Sequence, residues 1–223
     1  MNCLILSGSP KTTGLCNSVI AEIRLGFMDG AGGACGSGGA DGAGGACGAG
    51  AADGTGGACG SGGADGAGKA DVRLLAIPGI GRCRCCGDGW GECREGHKCV
   101  FGEDGFNEAQ AAVKGADMLC IITPVYWGEM AEGIKCFIDR LRRCEFGQSG
   151  ALSGKPVLLV ASPGGSGNGL LTCLEQMDRF CRHTGAVIFD YIGVNRWNYD
   201  YKRKAAYAAA RAMAGGRKAG ETI

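Results

Sequence analysis

Five short apolar runs, each leading into a stretch of helical periodicity, constrain this chain more than any other feature. Asn2 to Ser7, Asp71 to Ile77, Met118 to Thr123, Pro156 to Ala161 and Val187 to Val194 are each six to eight residues long. That is strand length, and most of them are too apolar to leave a face in water. Between them, apolar residues return at helical spacing: Cys16, Ile20, Ile23 and Phe27, then Ile134, Phe137, Ile138 and Leu141, then Leu170, Leu174, Met177 and Cys181. Phe106 to Gly115 reads as a further helix. The Ala-rich stretch 203–214 reads as the last one, stopped by Gly215-Gly216. Strand and helix alternating in this way predict an α/β fold, a five-stranded parallel sheet with helices on both faces. Ligands of such sheets bind beyond the C-terminal strand ends, where the strand order switches. The loops after the first, third and fourth strands are therefore the ones to read for chemistry.

One segment does not fit the alternation. Residues 29–64 repeat a twelve-residue unit three times: DGAGGACGSGGA, DGAGGACGAGAA and DGTGGACGSGGA. A fourth copy begins at Asp65 and breaks off after Gly68. The repeat explains much of an unusual glycine count, 45 of 223 residues. No residue in it is larger than Cys or Asp, so it has too little apolar surface to offset the entropy of ordering its backbone. Cys35, Cys47 and Cys59 stand singly, twelve residues apart, which is not the spacing of metal ligands. We read the segment as an insertion within one loop of a single domain spanning 1–223, entering after Phe27-Met28.

Charge and hydropathy exclude other classes. A net charge of +1 argues against a nucleic-acid partner, which calls for a basic excess. No run approaches the 18 or so apolar residues of a membrane span. The short apolar start, Cys3 to Leu6, has no basic lead of the kind that export signals carry. A cytoplasmic location is the expectation. In that compartment the 15 cysteines are expected to be buried, metal-bound or catalytic rather than disulfide-paired.

The candidate loops carry distinct chemistry. Ser7-Gly8-Ser9-Pro10-Lys11-Thr12-Thr13-Gly14 brings hydroxyls, a cation and backbone N–H groups to a helix N-terminus, a combination suited to a phosphate. It is neither the G-x-x-x-x-G-K-[ST] loop of ATP sites nor the G-x-G-x-x-G of dinucleotide sites. After the third strand, Thr123 to Met130 holds Tyr126-Trp127, two aromatics able to lie against a flat ring. After the fourth, Ser162-Pro163-Gly164-Gly165-Ser166-Gly167-Asn168-Gly169 allows close backbone approach to a ligand. His97 and His183 are the only histidines and fall in none of these loops. Asn195 to Tyr199 follows the fifth strand on the same edge, as an entrance, part of a dimer interface or an anchoring loop. Lys202-Arg203-Lys204 reads as a solvated helix start.

Between the second strand and the next helix, Cys83, Cys86, Cys93 and Cys99 are spaced by two, six and five residues. Four thiolates in one loop suit an iron–sulfur cluster or a structural zinc. Free thiols or a reversible disulfide are the other readings. Cys85 adjoins Cys86 as a bystander. Cys3, Cys120, Cys136, Cys144, Cys173 and Cys181 fall within strands and helices and read as small buried hydrophobes.

LILSGSPKTTG after the first strand, TPVYWGEM with the following IKCFIDR, and SPGGSGNG after the fourth strand together resemble the flavodoxin-like, NADPH-dependent FMN reductase superfamily, which includes the iron–sulfur flavoproteins. The resemblance covers the chain apart from 29–64. It implies a three-layer flavodoxin-like fold with strand order 2-1-3-4-5. It implies FMN as cofactor, NAD(P)H as electron donor, and an acceptor that is a small molecule or a redox protein. The cofactor then carries the chemistry and no catalytic acid–base pair is expected. By the same resemblance Ser9, Lys11, Thr13, Gly14, Leu15 and Cys16 hold the phosphate, although a common family form has Asn-Thr where Leu15-Cys16 stands. Pro124, Val125, Tyr126, Trp127, Gly128 and Glu129 flank the flavin ring. Ser162, Gly164, Gly165, Gly167 and Asn168 cover its other side. The family also implies a homodimer or homotetramer. Its iron–sulfur members carry a compact cysteine motif where Cys83, Cys86, Cys93 and Cys99 stand, which implies a 4Fe-4S cluster as an alternative. Here the middle spacing is longer by about Gly87 to Trp90. A further alternative is a binding protein without catalysis.

Overall fold

The computed structural model describes residues 1–32, 70–77, 79–88, 91–146 and 150–218. A parallel sheet of β1 (Asn2–Ser7), β2 (Asp71–Ala76), β3 (Met118–Tyr126), β5 (Pro156–Pro163) and β6 (Val187–Gly193) runs in the order β2-β1-β3-β5-β6. A two-residue strand, β4 (Glu129–Met130), folds back antiparallel on the end of β3. The expected five parallel strands in 2-1-3-4-5 order are thus present, with β4 as an addition that two residues are too few to announce. The helices are α1 (Leu15–Ala31), α2 (Cys93–Gly96), α3 (Phe106–Gly115), α4 (Glu132–Cys144), α5 (Leu170–Thr184) and α6 (Tyr199–Ala214). No helix among the described residues is long and apolar enough to cross a membrane.

Side chains alternate along each strand, so each strand feeds two cores. Leu4, Leu6, Leu119, Ile121, Val157 and Leu159 pack with α3, α4 and α5. Cys3, Ile5, Cys120, Ile122, Leu158 and Val160 pack with α1 and α6 on the other face. Phe27, Phe106 and Phe137 are fully buried, each burial contributing about 1.5–3 kcal/mol. Of the six cysteines expected as core residues, Cys3, Cys120, Cys144, Cys173 and Cys181 are buried, while Cys136 is half-buried. Burial pushes the Cys173 and Cys181 thiols up to about 12, which keeps them protonated and inert.

Two boundaries differ from the sequence reading. The third strand does not stop at Pro124 but continues to Tyr126. β1 pairs with β3 only as far as Ile122, so Pro124 has a sheet neighbour on one side, where a missing N–H is tolerated. The repeat does not begin in a loop either. Asp29, Gly30 and Ala31 continue α1, because Tyr207 Oη donates to Asp29 Oδ2 at 2.8 Å and Gly30 packs on the α6 backbone. From Gly33 on, the repeat, with Cys35, Cys47 and Cys59, lies outside the described residues, as does Trp90.

Candidate functional site

The parallel strands all deliver their C-terminal ends to one edge, and the three candidate loops meet there. Gly8 N–H donates to the Ile122 carbonyl at 2.8 Å, fixing the first loop to β3. A Cβ on Gly8 would lie 2.6 Å from Ile134, so only glycine lets this loop pass α4. Within the loop the Ser9 hydroxyl donates to the Lys11 carbonyl at 3.2 Å and accepts from the Lys11 N–H at 3.3 Å. Lys11, Thr13 and Gly14 are exposed. α1 then starts at Leu15 with no side-chain cap, which leaves its first N–H groups for an outside acceptor. Leu15 and Cys16 turn their side chains into the α1 core, so they offer the site their backbone alone.

Cys16 also explains a feature of the fourth-strand loop. Ser162 Oγ is buried with no hydrogen-bond partner of normal geometry, and it lies beside the Cys16 thiol. An unpaired buried hydroxyl costs free energy. It sits where the first and fourth-strand loops adjoin, next to the uncapped helix start.

The third-strand loop is a tight hairpin. Tyr126 pairs with Glu129, and the two residues between them, Trp127 at φ +54° and Gly128 at φ +85°, are both left-handed. That is the signature of a type I′ turn, which Asn-Gly usually fills. The turn is braced by Thr123, whose Oγ1 accepts from the Ala131 N–H at 3.0 Å and donates to the Pro124 carbonyl at 2.9 Å. Tyr126 is 45% exposed and Trp127 103%. Neither is a core aromatic. Glu129 is also exposed, and Pro124 and Val125 are half-buried beneath the turn. The hairpin touches the fourth-strand loop directly, since a Cβ on Gly169 would be 2.2 Å from Gly128 Cα.

The fourth-strand loop presents Gly164 and Asn168 to solvent, with Gly165 and Gly167 half-buried. The loop after β6 lies against it. A Cβ on Gly165 would sit 3.0 Å from an Arg196 guanidinium nitrogen, and one on Gly167 would sit 3.2 Å from Asn195 Nδ2. Trp197 stands 68% exposed beside the Arg196 guanidinium, 5.9 Å from its ring centroid. Arg196 therefore joins the site as part of the Asn195 to Tyr199 segment that the sequence puts on this edge. The sequence signal was its place one residue after Asn195 on the ligand-bearing edge. Of the basic run beyond, Arg203 pairs with Glu22 at 2.5 Å, a tie between α6 and α1 rather than a ligand contact.

The cysteine loop is organised by α4. Arg140 is 3% exposed and lies over the Phe106 ring. Its guanidinium donates to the Gly81 carbonyl at 3.0 Å, to Asp104 Oδ2 at 2.6 Å, to Cys99 Sγ at 3.4 Å and to the Phe101 carbonyl at 2.9 Å. Cys93 is buried in α2, Cys83, Cys86 and Cys99 are half-buried, and Cys85 is exposed at φ +48°. Among the described residues no three His, Cys, Asp or Glu side chains converge as metal ligands would. Cys83 and Cys86 lie near Cys93 and Cys99 is held by Arg140, so the expected ligands Cys83, Cys86, Cys93 and Cys99 share one loop without forming a ligand set among the described residues. The reason is local: the longer middle spacing turns through Gly87 and Gly91, both left-handed, α2 buries Cys93, and Arg140 holds Cys99. His97 has a packing role, its Nδ1–H donating to the Cys144 carbonyl at 2.6 Å, and His183 is exposed.

The sequence profile of the NADPH-dependent FMN reductase family matches residues 62–198. No curated protein matches the chain in sequence. Among solved structures, an NADH:FMN oxidoreductase in its apo form superimposes with a TM-score of 0.59 at 14% identity, over 99% of this chain and 91% of that one. An FMN-dependent NADH-azoreductase from Bacillus anthracis str. Ames Ancestor, in complex with FMN, gives 0.56 at 12% identity, over 97% and 99%. A flavodoxin from the domain Archaea gives 0.54 at 11% identity, over 97% and 99%. At these identities the likeness is one of fold.

Proposed function

The chain belongs to the NADPH-dependent FMN reductase family, and from that premise we propose that it binds FMN across the three joined loops and passes electrons from NAD(P)H to a small-molecule or protein acceptor. The observation that carries this reading is the junction of the first and fourth-strand loops. There the uncapped helix start adjoins the buried Ser162 hydroxyl, which has the weakly bonding Cys16 thiol beside it, and a phosphate satisfies such groups. The residues fit the group. Ser9 shapes the loop, Lys11 and Thr13 supply a cation and a hydroxyl, and the N–H groups of Gly14, Leu15 and Cys16 point along the positive end of α1. Tyr126 and Trp127 offer flat apolar surface, with Pro124, Val125, Gly128 and Glu129 forming the hairpin that holds them. Gly164, Gly165, Gly167 and Asn168 admit a ring edge close to the backbone. Bound flavin supplies the hydride and electron chemistry; the side chains position it and exclude water. Arg196, beside Gly165 and Trp197, is the cation placed to meet an anionic donor or acceptor at the entrance.

The test is a titration of the purified, flavin-free chain with FMN, followed by anaerobic addition of NADH or NADPH. Saturable binding and bleaching of the flavin absorbance by one of the nucleotides are expected. Full FMN occupancy with no bleaching by either nucleotide overturns the reductase reading and leaves an electron carrier served by a redox protein. No FMN binding at all leaves the non-catalytic binding protein.

A further inference from the structure

The turn from Asn195 to Asn198, just after β6, is fixed by its own two asparagines. Asn195 Oδ1 accepts from the N–H groups of Trp197 and Asn198, both at 3.0 Å. Asn198 Oδ1 accepts from the Asn195 N–H at 2.8 Å, and Asn198 Nδ2 donates to the Gly193 carbonyl at 3.2 Å. Side-chain bonds of this kind hold a turn in one conformation. The two residues between the asparagines, Arg196 and Trp197, are both exposed. Among the described residues no carboxylate forms an ion pair with Arg196. Its guanidinium lies over Gly165, where the missing side chain leaves it room, since a Cβ there would be 3.0 Å from a guanidinium nitrogen. The Trp197 ring centroid is 5.9 Å from the same guanidinium. The backbone thus presents a planar cation and an indole side by side, on the edge where the three loops meet.

That pair matches a ligand carrying a phosphate beside a flat ring. A guanidinium takes phosphate oxygens in pairs, and an indole takes a ring face. An NAD(P)H donor has this chemistry at its adenosine end, and NADPH differs from NADH there by one phosphate on the ribose 2′-oxygen. We propose that Arg196 and Trp197 form the subsite for the 2′-phosphoadenosine end of the donor, and that Arg196 sets a preference for NADPH over NADH. This role rests on the reading of the three loops as an FMN site, because the donor must reach the flavin from the same edge. In that reading Lys11 and the start of α1 serve the flavin phosphate, which leaves Arg196 for a second anion. Salt and water screen an exposed cation, so the discrimination is expected to be about tenfold rather than larger.

The test begins with FMN titrations of the full-length protein and of Arg196→Gln. Calorimetry on the FMN-loaded proteins, at one fixed ionic strength, then compares adenosine 2′,5′-bisphosphate with adenosine 5′-monophosphate. The unsubstituted protein is expected to bind the bisphosphate about tenfold tighter, and Arg196→Gln to bind the two alike. Arg196→Lys keeps part of the difference, as a point charge without the planar fork. Trp197→Leu weakens both nucleotides by a similar factor. In anaerobic flavin bleaching, the NADPH-to-NADH ratio of kcat/KM is expected to fall about tenfold in Arg196→Gln. Equal affinity of the unsubstituted protein for the two nucleotides, or binding of neither, overturns the subsite while leaving the FMN reading intact. So does a tenfold loss of FMN affinity in Arg196→Gln, which would assign the cation to the flavin. Failure of the unsubstituted protein to bind FMN overturns both.

Discussion

Trp127 holds a left-handed backbone with its indole wholly in solvent. That conformation costs an L-residue about 1–2 kcal/mol, and an exposed ring gains no burial to offset it. Such an outlier points from strain to use. Trp127→Asn places a residue suited to the first central position of a type I′ turn. We expect it to stabilise the flavin-free protein by about 1 kcal/mol and to weaken FMN binding about tenfold, measured by urea unfolding and by FMN titration. A loss of stability with unchanged FMN affinity would make the indole structural instead. A second residue-scale prediction concerns Asp104. Burial alone would raise its carboxyl, but Arg140 and the N–H groups of Gly81 and Phe106 outweigh burial and hold it below the usual carboxylate range. A carboxyl depressed in the folded state contributes stability that is present above its unfolded pKa and is lost as pH falls through the folded value. Asp104→Asn is therefore expected to destabilise more at pH 7 than near pH 3, read from urea midpoints at the two values. Equal losses at both would show that the pair acts by packing rather than by charge.

Between elements, α1 packs closely on α6. A Cβ at Gly26 would lie 2.4 Å from the Tyr207 carbonyl oxygen, and one at Gly30 would lie 2.3 Å from that of Arg211, with Ala210 and Ala214 filling the spaces beside them. Backbone cannot yield as a flexible side chain does, so Gly26→Leu or Gly30→Leu is expected to cost about 3 kcal/mol. Thermal unfolding measures this, with Gly32→Ala, which has no contact under 3.7 Å, as the neutral control. The apolar stripe of α1 was legible because it recurs every three or four residues. Its partner was not, since the hydrogen bonds between α1 and α6 join residues 178 and 181 apart, and two glycines in a glycine-rich stretch carry no sign of what they touch. The same limit hid α2 and β4, whose four and two residues are shorter than any period. The role of Arg140 was hidden too, because it depends on four partners scattered from Gly81 to Asp104. The three loops of the candidate site were legible, since each joins a strand to a helix and its composition survives apart from tertiary context. What joins them, the Gly128–Gly169 contact and the Arg196 guanidinium on Gly165, exists only after folding.

At the scale of the whole molecule, the connection from Ala31 to Asp71 is the part of the chain least explained by the sheet it interrupts. It contains 39 residues, and its repeat units hold only Gly, Ala, Ser, Thr, Cys and Asp. Such units bring little apolar area to bury, while every residue they add lengthens a loop whose ends the fold must bring together. Loop closure costs about (3/2)RT ln n. Deleting residues 33–64 leaves seven in the connection and lowers that cost by about 1–2 kcal/mol. If the repeat contributes no packing, the shortened protein should melt a few degrees higher, about 2–4 °C per kcal/mol at this size, and bind FMN as the full chain does. A fall in melting temperature would mean that the repeat packs against the domain with more than the closure energy. A fall in FMN affinity at an unchanged melting temperature would tie the repeat to the site. The two readouts separate these cases, because stability reports the fold while FMN affinity reports the three loops at the C-terminal strand ends.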